Sequence, residues 1–83
     1  MTTTETRIQA IRLINKVITL QVNVNNGCRS DKSELSKELP RLQGIKNWAI
    51  ENNQLPELLY YFGSHNFGQH KQFVANDIRK MFQ

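Results

Sequence analysis

The stretch from Ile45 to Leu59, IKNWAIENNQLPELL, constrains the fold of this chain more than any other. An apolar run with helical spacing ends in the polar residues 51–54, which form helices poorly. Pro56 and Glu57 then signal a helix start, because a proline in the first turn loses no intrahelical bond and a glutamate suits the positive helix end. The stretch therefore predicts two helices joined by a tight turn, with the chain's only tryptophan, Trp48, at the inner edge.

The N-terminal part predicts one helix and a loop. The helix begins near Thr3 or Thr4, and Thr2 and Glu5 stand at capping-box spacing. Apolar residues then recur at spacings of three and four, which is typical of a helix with one buried face. This stripe consists of Ile8, Ile11, Ile14, Val17 and Ile18. We expect residues 22–29 to form a loop, since Asn-Asn-Gly at 25–27 is a strong turn signal.

The remaining residues predict further short helices. A second helix begins at Ser30 or Ser33 and breaks before Pro40, because proline disfavours helical backbone in the residue that precedes it. A third begins at Pro40, and Gly44 within it indicates a close helix crossing. The inward residues of this third helix are expected to be Leu42, Ile45, Trp48 and Ala49.

A fourth helix is predicted from Pro56 to Phe62, with Gly63 just beyond its end. A last helix is capped by Ser64 or Asn66. Its core face is expected to hold Phe67, Val74, Ile78, Met81 and Phe82, with Phe73 on the shoulder. The pattern predicts an all-α fold, a compact orthogonal bundle of five or six short helices that forms a single domain over residues 1–83.

Composition limits the kind of protein and its partners. The net charge is +4, from 11 basic and 7 acidic residues. The whole excess lies in residues 1–50, which favours an acidic partner surface, protein or nucleic acid. The single cysteine, Cys28, predicts a reducing compartment. With neither a signal-peptide pattern nor a membrane-length apolar run, we expect a soluble, cytoplasmic protein without membrane contact.

The residues do not assemble a catalytic, cofactor or metal constellation. His65 and His70 are five positions apart, which is unsuited to one helix face, and Cys28 has no evident base. We therefore expect a protein that is not an enzyme and has no cofactor or metal. The alternative is a small basic nucleic-acid-binding regulator that uses the last helix. Its candidate recognition residues are Gln69, Gln72, Asn76, Arg79 and Lys80.

Residues 42–59, LQGIKNWAIENNQLPELL, resemble part of the bacterial effector-associated and death-like adaptor domains. The residues that match the first helix, the polar turn and the second helix of that pattern are Ile45, Trp48, Ala49, Glu51 to Gln54, Leu55, Glu57, Leu58 and Leu59. Where the family pattern has Gly and Arg in the turn, this chain has Asn53 and Gln54. The resemblance implies a death-fold bundle that acts as a non-enzymatic adaptor and recruits a like domain in bacterial conflict or defence.

Such an adaptor binds through charge complementarity between helical faces, which suits the basic first half of the chain. The candidate partner contacts are Arg12 and Lys16 on the first helix, and Arg41 and Lys46 near the corner. The expected partner is another protein domain with an acidic face. A phage-type inhibitor that blocks a protein complex by shape and charge has the same sequence features, so the sequence leaves adaptor and inhibitor open.

Overall fold

The computed structural model describes residues 3–83, and their side chains from Glu5 onward. Its elements are α1 (Thr3–Asn25), α2 (Ser30–Glu51), α3 (Leu55–Ser64) and α4 (Gln69–Lys80). The all-α prediction is confirmed, and no strand occurs in residues 3–83. The predicted count of five or six short helices is wrong: the described residues form four, and α1 and α2 are long, with 23 and 22 residues. Thr2, the predicted capping residue, lies outside the described residues.

The helix α1 runs into the segment that the sequence predicts as a loop. Residues 22–25 are helical, so only residues 26–29 connect α1 to α2. Val22 and Val24 are half-buried and pack against the core. Burial of these two side chains outweighs the weak helix propensity of β-branched residues.

The turn signal marks the end of α1 itself. Gly27 has a φ of 94°, in the left-handed region that glycine adopts without strain. Its N–H donates to the Val24 carbonyl at 3.0 Å, and the Cys28 N–H donates to the Asn23 carbonyl at 2.9 Å. These two bonds make a Schellman motif, which satisfies carbonyls that the helix end would otherwise leave unpaired.

The corner between α2 and α3 lies where the sequence predicts it. Asn53 has a φ of 58° and occupies the left-handed position that glycine holds at the end of α1. The Gln54 N–H donates to the Ala49 carbonyl at 2.7 Å, and the Asn53 N–H to the Ile50 carbonyl at 3.4 Å. The second helix end is therefore a Schellman motif built on asparagine. Pro56 stands in the first turn of α3, as predicted.

The predicted break before Pro40 does not occur, and Pro40 lies inside α2. Pro40 and Ser36, whose carbonyl loses its helical donor, are both exposed to water. Residues seven positions apart share a helix face, so one buried stripe continues past the proline. This stripe, which holds the two predicted helices together as one, consists of Leu35, Leu42 and Ala49.

The two long helices form an antiparallel hairpin, α4 packs against α1, and α3 contacts α2 and α4. One core cluster draws on all four helices and on Phe67 and Phe82 outside them. The largest fully buried side chains are Phe82, Ile14, Ile18, Leu42, Leu58 and Val17. The aromatic rings of Phe62 and Phe82 lie 5.6 Å apart, so the C-terminal residues close the core between α3 and α4.

Several predicted details of the core are wrong. Ile8 is 46% exposed and Met81 39% exposed, whereas Phe67, Val74, Ile78 and Phe82 are buried as predicted. Gly63 lies inside α3, whose end is capped by His65. The residue before α4 is Gly68, with a φ of 89°, and its N–H donates to the Asn66 side chain at 3.0 Å. Of the corner residues, Leu58 is fully buried, while Trp48, Leu55 and Leu59 are half-buried against the core.

Candidate protein-interaction surfaces

Two of the predicted contact residues, Lys16 and Arg41, are ion-paired within the chain. Lys16 Nζ lies 2.9 Å from Glu34 Oε1, which joins α1 to α2. Arg41 Nη1 lies 3.1 Å from Glu38 Oε2, one turn earlier on α2. Glu38 is a buried carboxylate, whereas the Arg41 side chain is 66% exposed. Arg41 therefore covers a buried charge and still presents donors to solvent.

The pKa of Lys16 is raised above the usual lysine value of 10.5. The largest cause is the hydrogen bond to Glu34, followed by the Coulombic attraction of Glu34 and Glu38, while desolvation and Arg41 oppose it. Hydrogen bonding to the charged form and nearby opposite charges both favour the ammonium state. Lys16 thus stays cationic between the two acidic side chains, and Arg41 lies within electrostatic range.

The other two predicted contact residues lie apart from this pair. Arg12 is exposed one turn before Lys16 and makes no ion pair with any residue in 3–83. Lys46 is half-buried and likewise has no ion pair within that range. Five helical positions separate Lys46 from Arg41, which places the two side chains about 140° apart around α2. Lys16 and Arg41 therefore lie within electrostatic range of each other, Arg12 is one helical turn from Lys16, and Lys46 is on a different side of α2 from Arg41.

A groove of about 410 Å³ runs between the first half of α1 and the second half of α2. We call it the α1–α2 groove; it is lined by Thr6, Gln9, Leu13, Arg41, Gly44, Ile45 and Trp48. Gly44 opens it instead of making the close helix crossing that the sequence predicts, because a Cβ there would meet nothing within 4 Å. The indole of Trp48 is half-buried, so one part packs on the core and another faces the groove.

A second groove, of about 560 Å³, lies between α3 and α4. We call it the α3–α4 groove; it is lined by Pro56, Leu59, Tyr60, Gly63, Ser64 and Arg79. Tyr60 is 73% exposed, and the Arg79 Nε is buried without a hydrogen-bond partner. The sequence indicates Arg79 only as a candidate nucleic-acid contact. Its position beside α3 depends on how the helices pack, which the sequence pattern does not show.

The candidate recognition residues of α4 are partly engaged with each other and with their neighbours. Gln72 Nε2 donates to Asn76 Oδ1 at 3.0 Å, and Lys80 Nζ lies 3.8 Å from Asp77 Oδ1. Arg79 lines the groove against α3. Among these five residues the exposed ones are Gln69, Asn76 and Lys80, so the face carries a single exposed cation.

Arg7 makes a structural contact that no local sequence pattern indicates. Its Nη1 donates to Gln54 Oε1 at 3.1 Å and lies 4.0 Å from Glu57 Oε2. The start of α1 is thereby fastened to the corner and to the first turn of α3. In addition, Asn15 Nδ2 donates to the Tyr61 hydroxyl at 2.7 Å. These contacts join α1 to the corner and to α3, and they depend on residues far apart in the sequence.

Side chains suited to metal or thiol chemistry are scattered. Within residues 3–83, no group of three or more His, Cys, Asp or Glu side chains could hold a metal ion. Cys28 is half-buried, with its Sγ 3.4 Å from Ser30 Oγ. The imidazole of His65 stacks on the Tyr61 ring at 4.9 Å. None of the four described helices carries an apolar window of membrane-spanning length.

Comparison of the chain with protein-family models, with curated proteins and with solved structures found no match.

Proposed function

We propose that this chain is a non-enzymatic protein-interaction domain that recruits an acidic partner through the α1–α2 groove. The observation that carries the proposal is the presence of Trp48, Ile45 and Leu13 in one open groove with Arg41. Tryptophan and arginine are the residues that most often dominate binding energy at protein interfaces. An apolar partner side chain would pack on Trp48 while a partner carboxylate binds Arg41.

Arg41 is able to serve a partner without abandoning Glu38. A guanidinium has five N–H donors in a planar fork, and Nη1 is the group that donates to Glu38. The remaining donors suit a second carboxylate. Lys16 and Arg12 extend the positive charge along α1 beside the groove, which would steer an acidic partner toward it. Lys46 lies on another side of α2, so it would contact only a partner that extends beyond the groove.

The same proposal includes a biological role, which is recruitment of a partner in bacterial conflict or defence. The resemblance of residues 42–59 to effector-associated and death-like domains supports recruitment of a partner, homotypic or not, in bacterial conflict or defence. A phage-type inhibitor would use the same groove, so the two roles differ in what the bound partner then does. The five candidate recognition residues of α4 give the nucleic-acid alternative little support, since the one exposed cation among them, Lys80, is paired with Asp77.

Selection of random 12-residue peptides on the immobilised full chain tests the proposal. We expect acidic peptides with one large apolar residue to be enriched. Gly44→Leu fills the groove, suits a helix and keeps the charge, so it should weaken these peptides at least tenfold. Arg41→Glu should also weaken binding of these peptides at least tenfold, because it replaces an attractive charge by a repulsive one.

Lys32→Glu provides the matched control, because it makes the same charge change on α2 about 180° away from Arg41. Its affinity for the selected peptides should stay within about twofold of the parent, an effect of less than about 0.5 kcal/mol. Peptides that bind the Gly44→Leu variant as well as the parent would show that the α1–α2 groove is not the interaction site.

A further inference from the structure

Arg79 is a cation without a counter-charge in the described part of the chain. Its Nε is the one buried side-chain nitrogen or oxygen that lacks a hydrogen-bond partner among residues 5–83, whose side chains the structure describes. The ion pairs in this range involve other residues. Buried charged groups are normally paired or hydrogen-bonded, because removing them from water is costly. Arg79 as a whole is half-buried, so its guanidinium combines one covered, unpaired N–H with donors that are not engaged in an ion pair, and it is able to bind an anionic group.

The surroundings of Arg79 are mostly apolar. Pro56, Leu59 and Tyr60 provide the wall of the α3–α4 groove that belongs to α3. The Ser64 hydroxyl also lines it, but its proton is donated to the Tyr60 carbonyl at 2.8 Å. A volume of about 560 Å³ accommodates one large side chain together with the backbone on either side of it. The groove thus combines an apolar surface with one cation.

We propose that the α3–α4 groove is a second docking site, which binds a peptide segment of a partner protein that presents a carboxylate beside an apolar side chain. The apolar side chain packs on Leu59 and Tyr60, and the carboxylate binds the guanidinium of Arg79. Because Nε is covered in the free chain, the Arg79 side chain rotates about its last bonds to offer Nε and one Nη together. This bidentate pairing satisfies the unpaired Nε–H.

A carboxylate fits this site better than the phosphates of a nucleic acid. Nucleic-acid binding requires several Lys or Arg contacts along a backbone. Residues 51–83 hold three basic and three acidic side chains, so this half of the chain has no net charge. The neighbouring Lys80 is already paired with Asp77 at 3.8 Å. One arginine in an apolar groove matches a single carboxylate.

The site shares no lining residue with the α1–α2 groove, so its test is independent of the proposed function. The probe is N-acetylphenylalanine as the free carboxylate, compared with its primary amide. Both are titrated into the full ¹⁵N-labelled chain, and two-dimensional NMR spectra follow the Arg79 Nε–H and the amides of Tyr60 and Gly63. For a ligand of this size we expect a Kd of about 1 mM for the carboxylate. The amide should bind about tenfold more weakly.

Variants separate the role of the guanidinium from that of charge. Arg79→Met keeps the apolar length and should abolish the preference for carboxylate over amide. Arg79→Lys keeps the charge without the fork, so it should retain only part of that preference. Lys80→Gln removes a neighbouring charge outside the groove lining and should bind like the parent. Circular dichroism of each variant reports whether the helices are intact.

Three results would overturn the proposal. The first is equal binding of carboxylate and amide by the parent, or a preference for the carboxylate that survives Arg79→Met in a folded variant. The second is displacement of the probe by a 12-nucleotide single-stranded DNA with a steep salt dependence, which would assign the groove to nucleic acid. The third is self-association of the parent that Arg79→Met abolishes in light scattering, which would make the occupant a second copy of this chain.

Discussion

Substitution of Pro40 by alanine tests the continuity of α2 directly. A proline inside a helix costs about 3 kcal/mol relative to alanine, because it lacks an N–H and its ring crowds the carbonyl one turn earlier. Because Pro40 and Ser36 are both exposed residues, we expect water to hydrate the Ser36 carbonyl, which loses its donor, and to relieve part of this cost. We therefore expect Pro40→Ala to raise the free energy of unfolding by about 2 kcal/mol. The melting temperature of a domain this small should rise by about 10 °C.

Urea and thermal unfolding followed by circular dichroism measure this change. The free energy of unfolding of Pro40→Gly should lie between those of the parent and Pro40→Ala. Glycine restores the N–H, but it costs about 1 kcal/mol relative to alanine in a helix. Hydrogen exchange gives a second readout, since the new amide at position 40 should be protected by the Ser36 carbonyl. A proline at the start of a helix is well tolerated. Unchanged or lowered stability of Pro40→Ala would therefore refute the continuous helix.

Three further predictions concern the helix end, the core and the α1–α2 ion pair. Asn53→Ala should lower the free energy of unfolding by about 1 kcal/mol in urea titrations, whereas Asn53→Gly should not, because the φ of 58° is left-handed. Leu58→Ala should lower it by about 3 kcal/mol and broaden or remove the thermal transition, since Leu58 is 0% exposed; a loss below about 1 kcal/mol would contradict its burial. The pKa of Lys16, measured by NMR titration, should lie above 10.5 and fall toward it in Glu34→Gln. The stabilisation from this raised pKa is complete below pH 10.5 and disappears as the pH passes through the native value, so an unchanged pKa in Glu34→Gln would exclude the ion pair.

The corner between α2 and α3 could be predicted because its signals are local. Residues 51–54 are polar, Asn53 tolerates a left-handed φ, and Pro56 suits a first turn. The lengths of α1 and α2 could not be predicted in this way, because tertiary packing outweighs the local helix propensity there. Val22 and Val24 extend α1 because they pack on the core. The helix α2 continues through Pro40 because buried residues on both sides of the proline stabilise it.

The candidate sites depend still more on tertiary placement. The charge of Lys16 and Arg41 is visible in the sequence, and their proximity follows from the hairpin that brings α1 and α2 together. That Glu38 would be buried beneath Arg41 has no local signal, since an isolated helix would leave both side chains in water. The same holds for Arg79, because its place beside α3 in the α3–α4 groove and its buried, unpaired Nε both depend on how the helices pack.

The unequal helix lengths imply that the two short helices open locally more readily than the two long ones. The helices α3 and α4 have 10 and 12 residues, lengths at which an isolated helix is marginal in water, so both rely on the α1–α2 hairpin. We expect their amides to exchange through partial opening while the hairpin stays folded. A ligand in the α3–α4 groove binds only the closed form. Slower exchange in these two helices would therefore report occupancy of the groove and measure its binding free energy.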